Sequence, residues 1–195
     1  MSRIMIMDTS SEYLIISFLD NNKLIYEYIA PGKNNHSDNL LKEIETGLKE
    51  TNLEVKDFDM VICGKGPGAY TGLRVAMTVA KVFCWSLNIP LYTISSLDLM
   101  ASGYLNKKGI VSINMKAKKD YVYHKIIKFN EGNIEILEDE AFLSVEDAKL
   151  VDNKYGLSYQ VDNGNICYDA LSISLFSEKV DNIDLLEPNY LREGM

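Results

Sequence analysis

Histidine, cysteine and basic charge are all scarce in this 195-residue chain, and each scarcity closes off a class of function. The two histidines, His36 and His124, stand far apart and in no HxxxH pair, which leaves too few ligands for a histidine-based metal site. Three cysteines, Cys63, Cys84 and Cys167, are odd in number and widely separated, the first two in strongly apolar stretches. Neither a disulfide framework nor a zinc knuckle fits that spacing, and three buried thiols are expected. Net charge is −8 and both halves of the chain are acidic. Because nucleic-acid affinity comes mainly from neutralising phosphates, the chain alone should bind RNA or DNA poorly. One local exception, "NMKAKKDY" with Lys116, Lys118 and Lys119, reads as a solvated strand end. The apolar part of the opening "MSRIMIMDTSS" is too short for a signal-peptide core, and no later run approaches about 18 apolar residues. A cytoplasmic protein with no membrane span is expected.

What the chain does have is an apolar share of 47% beside 25% charged residues, enough to bury a real core. "RIMIMD", "YLIISFLD" and "KLIYEYI" are three short apolar runs parted by turn residues, which predicts an antiparallel meander. The period then switches to 3.6 in "SDNLLKEIETGLKETN", where Leu40, Leu41, Ile44 and Leu48 share a stripe, with Ser37 and Asp38 placed to cap and His36 as a helix-start residue. "DMVICG" predicts a buried strand, "TGLRVAMTVAKVFCWSLN" a second helix, "IPLYTI" a strand and "SSLDLMASGYL" a third helix. The order βββ-α-β-α-β-α is that of the ribonuclease-H-like fold, the core of the actin and sugar-kinase class. Residues 1–104 are expected to form that unit. Residues 105–195 should form a second, smaller α/β unit, with strands at "GIVSIN", "YVYHKIIKF" and "IEILEDEAF", a short "SVEDAK" helix and a weakly periodic tail.

"GKGPGAYTGLR" places glycines and a proline at the mouth of the second helix. The dinucleotide fingerprint is met on paper by Gly64, Gly66 and Ala69, but no acidic residue ends the next strand; the P-loop fails because no Lys-Ser or Lys-Thr follows. Two readings stay open. The first helical turn offers unpaired N–H groups to an anion. Alternatively Gly66, Pro67 and Gly68 make a sharp strand-to-helix reversal, Thr71 caps, and Gly72 lets the first turn sit against a neighbour.

Along that helix Leu73, Ala76, Ala80, Phe83, Cys84 and Leu87 fill one face and Val75, Val79, Val82 and Ser86 the adjoining one, together about twice the arc a one-sided surface helix needs. A sheet covers one face; the preceding helix, with Gly47 permitting close approach, covers part of the other. The remainder is expected to meet a partner, with Val79→Asp expected to spare the fold and abolish binding.

The opening "IMDTSSEYLIISF", "HSDNLLKEI", "GPGAYTGLRV", "PLYTISSLDLMA" and "PNYLRE" closely resemble the bacterial TsaB (YeaZ) family, most fully through residue 101. In "KAKKDYVY" this chain departs from the family pattern, with Lys116 and Tyr121 in place of acids, and the second unit looks abridged. The resemblance implies a non-catalytic subunit in synthesis of N6-threonylcarbamoyladenosine in tRNA, docked through its paired helices onto the TsaD catalytic subunit, with the TsaE ATPase binding the assembly. It implies a partner interface at Leu40, Ile44, Gly47, Leu48, Val75, Val79, Val82 and Ser86, and a glycine-loop motif of Gly66, Pro67, Gly68, Thr71, Gly72 and Arg74. No cofactor is expected on this chain alone; ATP and metal belong to the partner, tRNA contact is at most indirect, and homodimer and monomer both stay open when the partner is absent. Asp8 occupies the first phosphate-loop position of the actin class without its glycine, and is the one weak nucleotide candidate. The competing expectation is an enzyme acting alone, an actin-class kinase or a peptidase.

Overall fold

The computed structural model describes residues 2–31 and 36–191, without the side chains of residues 36–38 and 175. The capping roles assigned to His36, Ser37 and Asp38, and the end of "PNYLRE", therefore lie outside the described residues.

The three apolar runs form β1 (Arg3–Asp8), β2 (Tyr13–Asp20) and β3 (Lys23–Pro31), an antiparallel meander. After α1 (His36–Thr51) come β4 (Met60–Gly64), α2 (Tyr70–Leu87), β5 (Leu91–Ile94) and α3 (Ser96–Met100). β4 pairs parallel to β1 and β5 parallel to β4. The central strands are buried on both faces, which is why they read as unbroken apolar runs. Their alternation still assigns each side chain to a layer: Met5, Met7, Val61 and Cys63 pack under α1 and α2, whereas Ile4, Ile6 and Ile62 face the opposite layer. α2 ends on Asn88 in the left-handed conformation at φ 54°, and Ser95 caps α3 by accepting from the N–H of Leu97 at 3.2 Å.

A second sheet holds β6 (Lys108–Lys116), β7 (Tyr121–Asn130), β8 (Asn133–Ser144) and, beyond α4 (Val145–Asp152), β9 (Tyr159–Asp162), in the order β8-β7-β6-β9. α3 lies between the layers, giving Leu97 and Met100 to the second core and Leu99 to the first.

The chain does not part cleanly at residue 104. α5 (Ala170–Phe176) packs on the open face of the first sheet through Ala170 and Ile173, and β10 (Glu178–Lys179) pairs antiparallel with β5. The first sheet thus reads β10-β5-β4-β1-β2-β3, the ribonuclease-H-like strand order with one added edge strand. The tail is only weakly periodic in sequence, because a two-residue strand carries no periodicity of its own. No helix among the described residues is long and apolar enough to cross a membrane.

Candidate functional site

The glycine loop folds down onto the Asp8-Thr9-Ser10 turn. The Ala69 N–H donates to Ser10 O at 2.7 Å, and Thr9 Oγ1 donates to Gly72 O at 2.6 Å. A methyl group at residue 68 would stand 2.5 Å from Ser10 O, and one at residue 72 would fall on the Thr9 carbonyl. The backbones therefore approach more closely than any side chain allows. On the other flank the Gly66 N–H donates to Ser96 Oγ at 3.1 Å while the Ser96 N–H donates to Gly66 O at 2.9 Å. Gly66 itself sits at φ 103°. These bonds tie the Gly66 and Ala69 N–H groups and the Gly66 and Gly72 carbonyls to the chain's own partners, as the structural reading of the motif expects.

Thr71 is not the cap expected of it. The helix begins at Tyr70, its N-cap position is Ala69 with no side-chain bond, and Thr71 is exposed within the first turn. Arg74 engages two tyrosines, its Nε donating to Tyr190 Oη at 2.9 Å and its guanidinium lying 4.3 Å from the Tyr70 ring centre.

Asp8 is sealed. Its carboxylate accepts from the N–H of Ser10 and, at 2.9 Å, from Ser10 Oγ, and it lies against Gly64 and Ser96. Burial pushes its pKa up despite those bonds. A magnesium ion needs oxygens that open onto water and phosphate, and this carboxylate faces its own turn; the geometry does not fit a metal–nucleotide site. Among the described residues no group of three or more His, Cys, Asp and Glu side chains converges as a metal site. His124 is committed elsewhere, its Nε2 3.0 Å from Asp152 Oδ1 in the second unit.

The paired helices divide the expected interface into three groups. Leu40 and Ile44 are fully buried in the chain's own core, and Gly47 makes room for the Tyr26 and Phe18 rings rather than for α2: a methyl there would stand 2.6 Å from Tyr26. These three are core residues, which corrects their placement at an interface. Leu48, Val75 and Val79 are half-buried and pack on that core. Val82 and Ser86 are exposed, Val82 at 54%. The tail supplies the missing cover, since Val180, Ile183 and Leu186 pack on the same cluster, so the uncovered strip of α2 is narrower than its sequence predicts. Sequence reasoning missed its most exposed member: Trp85, 76% exposed and three residues from Val82, joined by Leu41 of α1 at 53%. Three-residue spacing from Val82 was the available signal.

Between the two sheets runs a cleft of about 750 Å³ whose walls include Ser10, Gly68, Thr71, Lys116, Lys118 and Tyr123. Lys116 pairs loosely with Glu12 at 3.7 Å, and the Lys118 ammonium lies 4.4 Å from the Tyr121 ring centre. Lys119 is exposed outside that wall. Of the three thiols, Cys63 and Cys84 are buried, burial pushing Cys84 up to about 12 and Cys63 upward likewise, whereas Cys167 is half-buried, not fully enclosed as expected.

The family model described as "TsaD: tRNA N6-adenosine threonylcarbamoyltransferase" matches residues 27–186. The tRNA threonylcarbamoyladenosine biosynthesis protein TsaB of Bacillus subtilis (strain 168) is 33% identical over 132 residues, 68% of this chain and 58% of that protein. Its namesake in Escherichia coli (strain K12) is 24% identical over 111 residues, 57% of this chain and 48% of that one. The chain thus spans about half the length of these curated relatives. The solved structure of YeaZ from Pseudomonas aeruginosa superposes with a TM-score of 0.79 at 22% identity, covering 98% of this chain and 100% of the other, and so shares its fold. With its glycine loop, sealed turn and paired helices in that frame, the chain belongs to the TsaB (YeaZ) family, within the wider family of tRNA N6-adenosine threonylcarbamoyltransferases.

Proposed function

We propose that the chain serves threonylcarbamoyladenosine synthesis in tRNA as a non-catalytic subunit, docking through α2 and the adjoining edge of α1 onto a TsaD-like catalytic subunit. The observation that carries this reading is the strip of α2 bearing Val82 and Trp85, apolar side chains that water reaches although half-buried Val75 and Val79 flank them. Large apolar groups on a regular helix, rimmed by polar residues such as Ser86, suit the centre of a protein interface. The non-catalytic part draws support from Asp8, whose oxygens are engaged by Ser10 beneath the glycine loop. In this reading ATP and metal act on the catalytic partner, a TsaE-like ATPase joins the assembly, and two copies pair through the same strip when the partner is absent. In this reading the chain works in the cytoplasm, where the catalytic partner modifies tRNA.

Isothermal titration of the purified chain with a TsaD-like subunit from the same organism tests the proposal. Stoichiometric binding that excludes the homodimer supports it; absence of any heat, with both proteins folded, refutes it.

A further inference from the structure

Residues 178–190 run as a strap along one flank of α2. Its ends are pinned by the Val180 N–H on Leu91 O at 2.9 Å and the Asn189 N–H on Lys65 O at 2.7 Å. Tyr190 stacks on Tyr70 with ring centres 5.1 Å apart and accepts from Arg74 Nε, and midway the Lys81 ammonium reaches the Asp184 carbonyl at 3.5 Å. Between these contacts the strap makes a turn held by its own bonds. Asn182 Oδ1 accepts from the N–H groups of Asp184 at 3.0 Å and Leu185 at 3.4 Å, and the Leu186 N–H donates to Ile183 O at 3.3 Å. Ile183 and Leu186 pack on the first core, yet Leu185 between them is 77% exposed.

Leu185 and Trp85 are the two most exposed large apolar side chains among the described residues. Helix geometry turns them toward each other. At 100° per residue Trp85 lies about 60° round α2 from Val82, on the same side as Arg74 and Lys81, which lie about 80° and 100° round. Those two residues touch the strap, so Trp85 leans toward it. The helices alone offer too little apolar surface for a stable interface. The exposed parts of Trp85, Val82 and Leu41 come to on the order of 300 Å². Each partner in a standard interface gives about 800 Å², of which roughly 450 Å² is apolar. Leu185 and the half-exposed Tyr70, on which Tyr190 stacks, bring the apolar total to about 500 Å².

We propose that the strap forms the other half of the docking surface, with Leu185 and Trp85 together seating one apolar face of the catalytic partner; this rests on docking through α2 as proposed above. The turn holds Leu185 out in advance, so binding forfeits little conformational entropy there. Asp181, Asp184 and Glu187 are exposed beside it, and Lys179 is the strap's one basic residue. The partner face that fits is therefore apolar at its centre and basic where it overlies the strap. The strap serves two sides at once, covering the core beneath α2 with Val180, Ile183 and Leu186 and presenting Leu185 outward.

Titration of the full chain and its Leu185 variants with the catalytic subunit, beside hydrogen exchange of the free and bound chain, tests the strap. Leu185→Asp should bind roughly tenfold or more weakly at an unchanged urea midpoint, because it places an unpaired charge in the interface and leaves the free chain's core intact. Leu185→Met, which keeps the apolar contact, should bind within about threefold of wild type. Peptides spanning residues 182–187 should gain protection when the partner is added. If Val82→Asp weakens binding while Leu185→Asp does not and residues 182–187 gain no protection, docking through α2 stands and the strap's share in it is refuted. If the wild-type chain does not bind the partner at all, both proposals fall. Protection of residues 182–187 that rises with the concentration of the chain alone, and not with the partner, assigns the turn to a second copy and overturns the proposal.

Discussion

Val82→Asp separates docking from folding more cleanly than any other change on α2. Val82 is 54% exposed, so in the free chain the new carboxylate stays in water, and Val and Asp have similar helix propensities. Stability should move by no more than about 0.5 kcal/mol. At an interface the same substitution forfeits about 1 kcal/mol of apolar burial for the exposed half of a valine. It also encloses an unpaired charge, which costs on the order of a further 2 kcal/mol or more. Together these weaken binding by roughly a hundredfold or more at about 1.4 kcal/mol per decade. Val79→Asp cannot serve: Val79 packs on the core cluster, and a carboxylate there disturbs the fold as well. Titration against the catalytic partner, with a urea melt of the free chain in parallel, reads both effects. If Val82→Asp and Trp85→Ala each bind within threefold of wild type at unchanged stability, α2 is not the docking element and the reasoning fails.

Gly72→Ala sets a methyl on the Thr9 carbonyl and should cost about 1–3 kcal/mol in denaturant unfolding; an unchanged midpoint would show that the turn is not held as described. Asp8 has a folded-state pKa raised above its unfolded one, so its contribution is full below the unfolded pKa and is lost as pH rises through the folded value. Asp8→Asn should accordingly flatten the decline of stability with pH, and an unaltered profile counts against a buried, proton-binding Asp8. Magnesium-ATP should give no saturable rise in melting temperature, whereas a true site at a hundred times its Kd would add about 2.7 kcal/mol. Titration with an aromatic disulfide reagent should modify Cys167 in the native chain and reach Cys63 and Cys84 only after unfolding; rapid reaction of all three would contradict their enclosure.

Segments carrying a dense apolar run were legible in the sequence, and the sparser segments of the tail were not. The meander, α1, α2 and the parallel strands follow from apolar spacing, because each turns apolar side chains toward the core, fully buried in β1, β2, β4 and β5 and half-buried in β3. β9, α5 and β10 escaped notice: they span four, seven and two residues and owe their form to what they pack against. The same limit applies to the interface. Apolar spacing marks Leu40, Ile44 and Val82 alike, yet tertiary packing buries the first two and leaves the third in water. Gly47 shows the difficulty most sharply, since a glycine between helices and a glycine above two aromatic rings look identical in a one-dimensional string.

The added edge strand bears on how the chain is made. β5 ends at Ile94 and its neighbour begins at Glu178, so at usual rates of synthesis the ribosome needs on the order of ten seconds between releasing one and the other. Throughout that interval the nascent sheet has an open hydrogen-bonding rim beside its most apolar strands, the arrangement that invites pairing with the wrong chain. Premature termination in that window would leave the first sheet without its outer seam and without the Val180, Ile183 and Leu186 side chains that pack on its core, and before residue 170 without α5 as well.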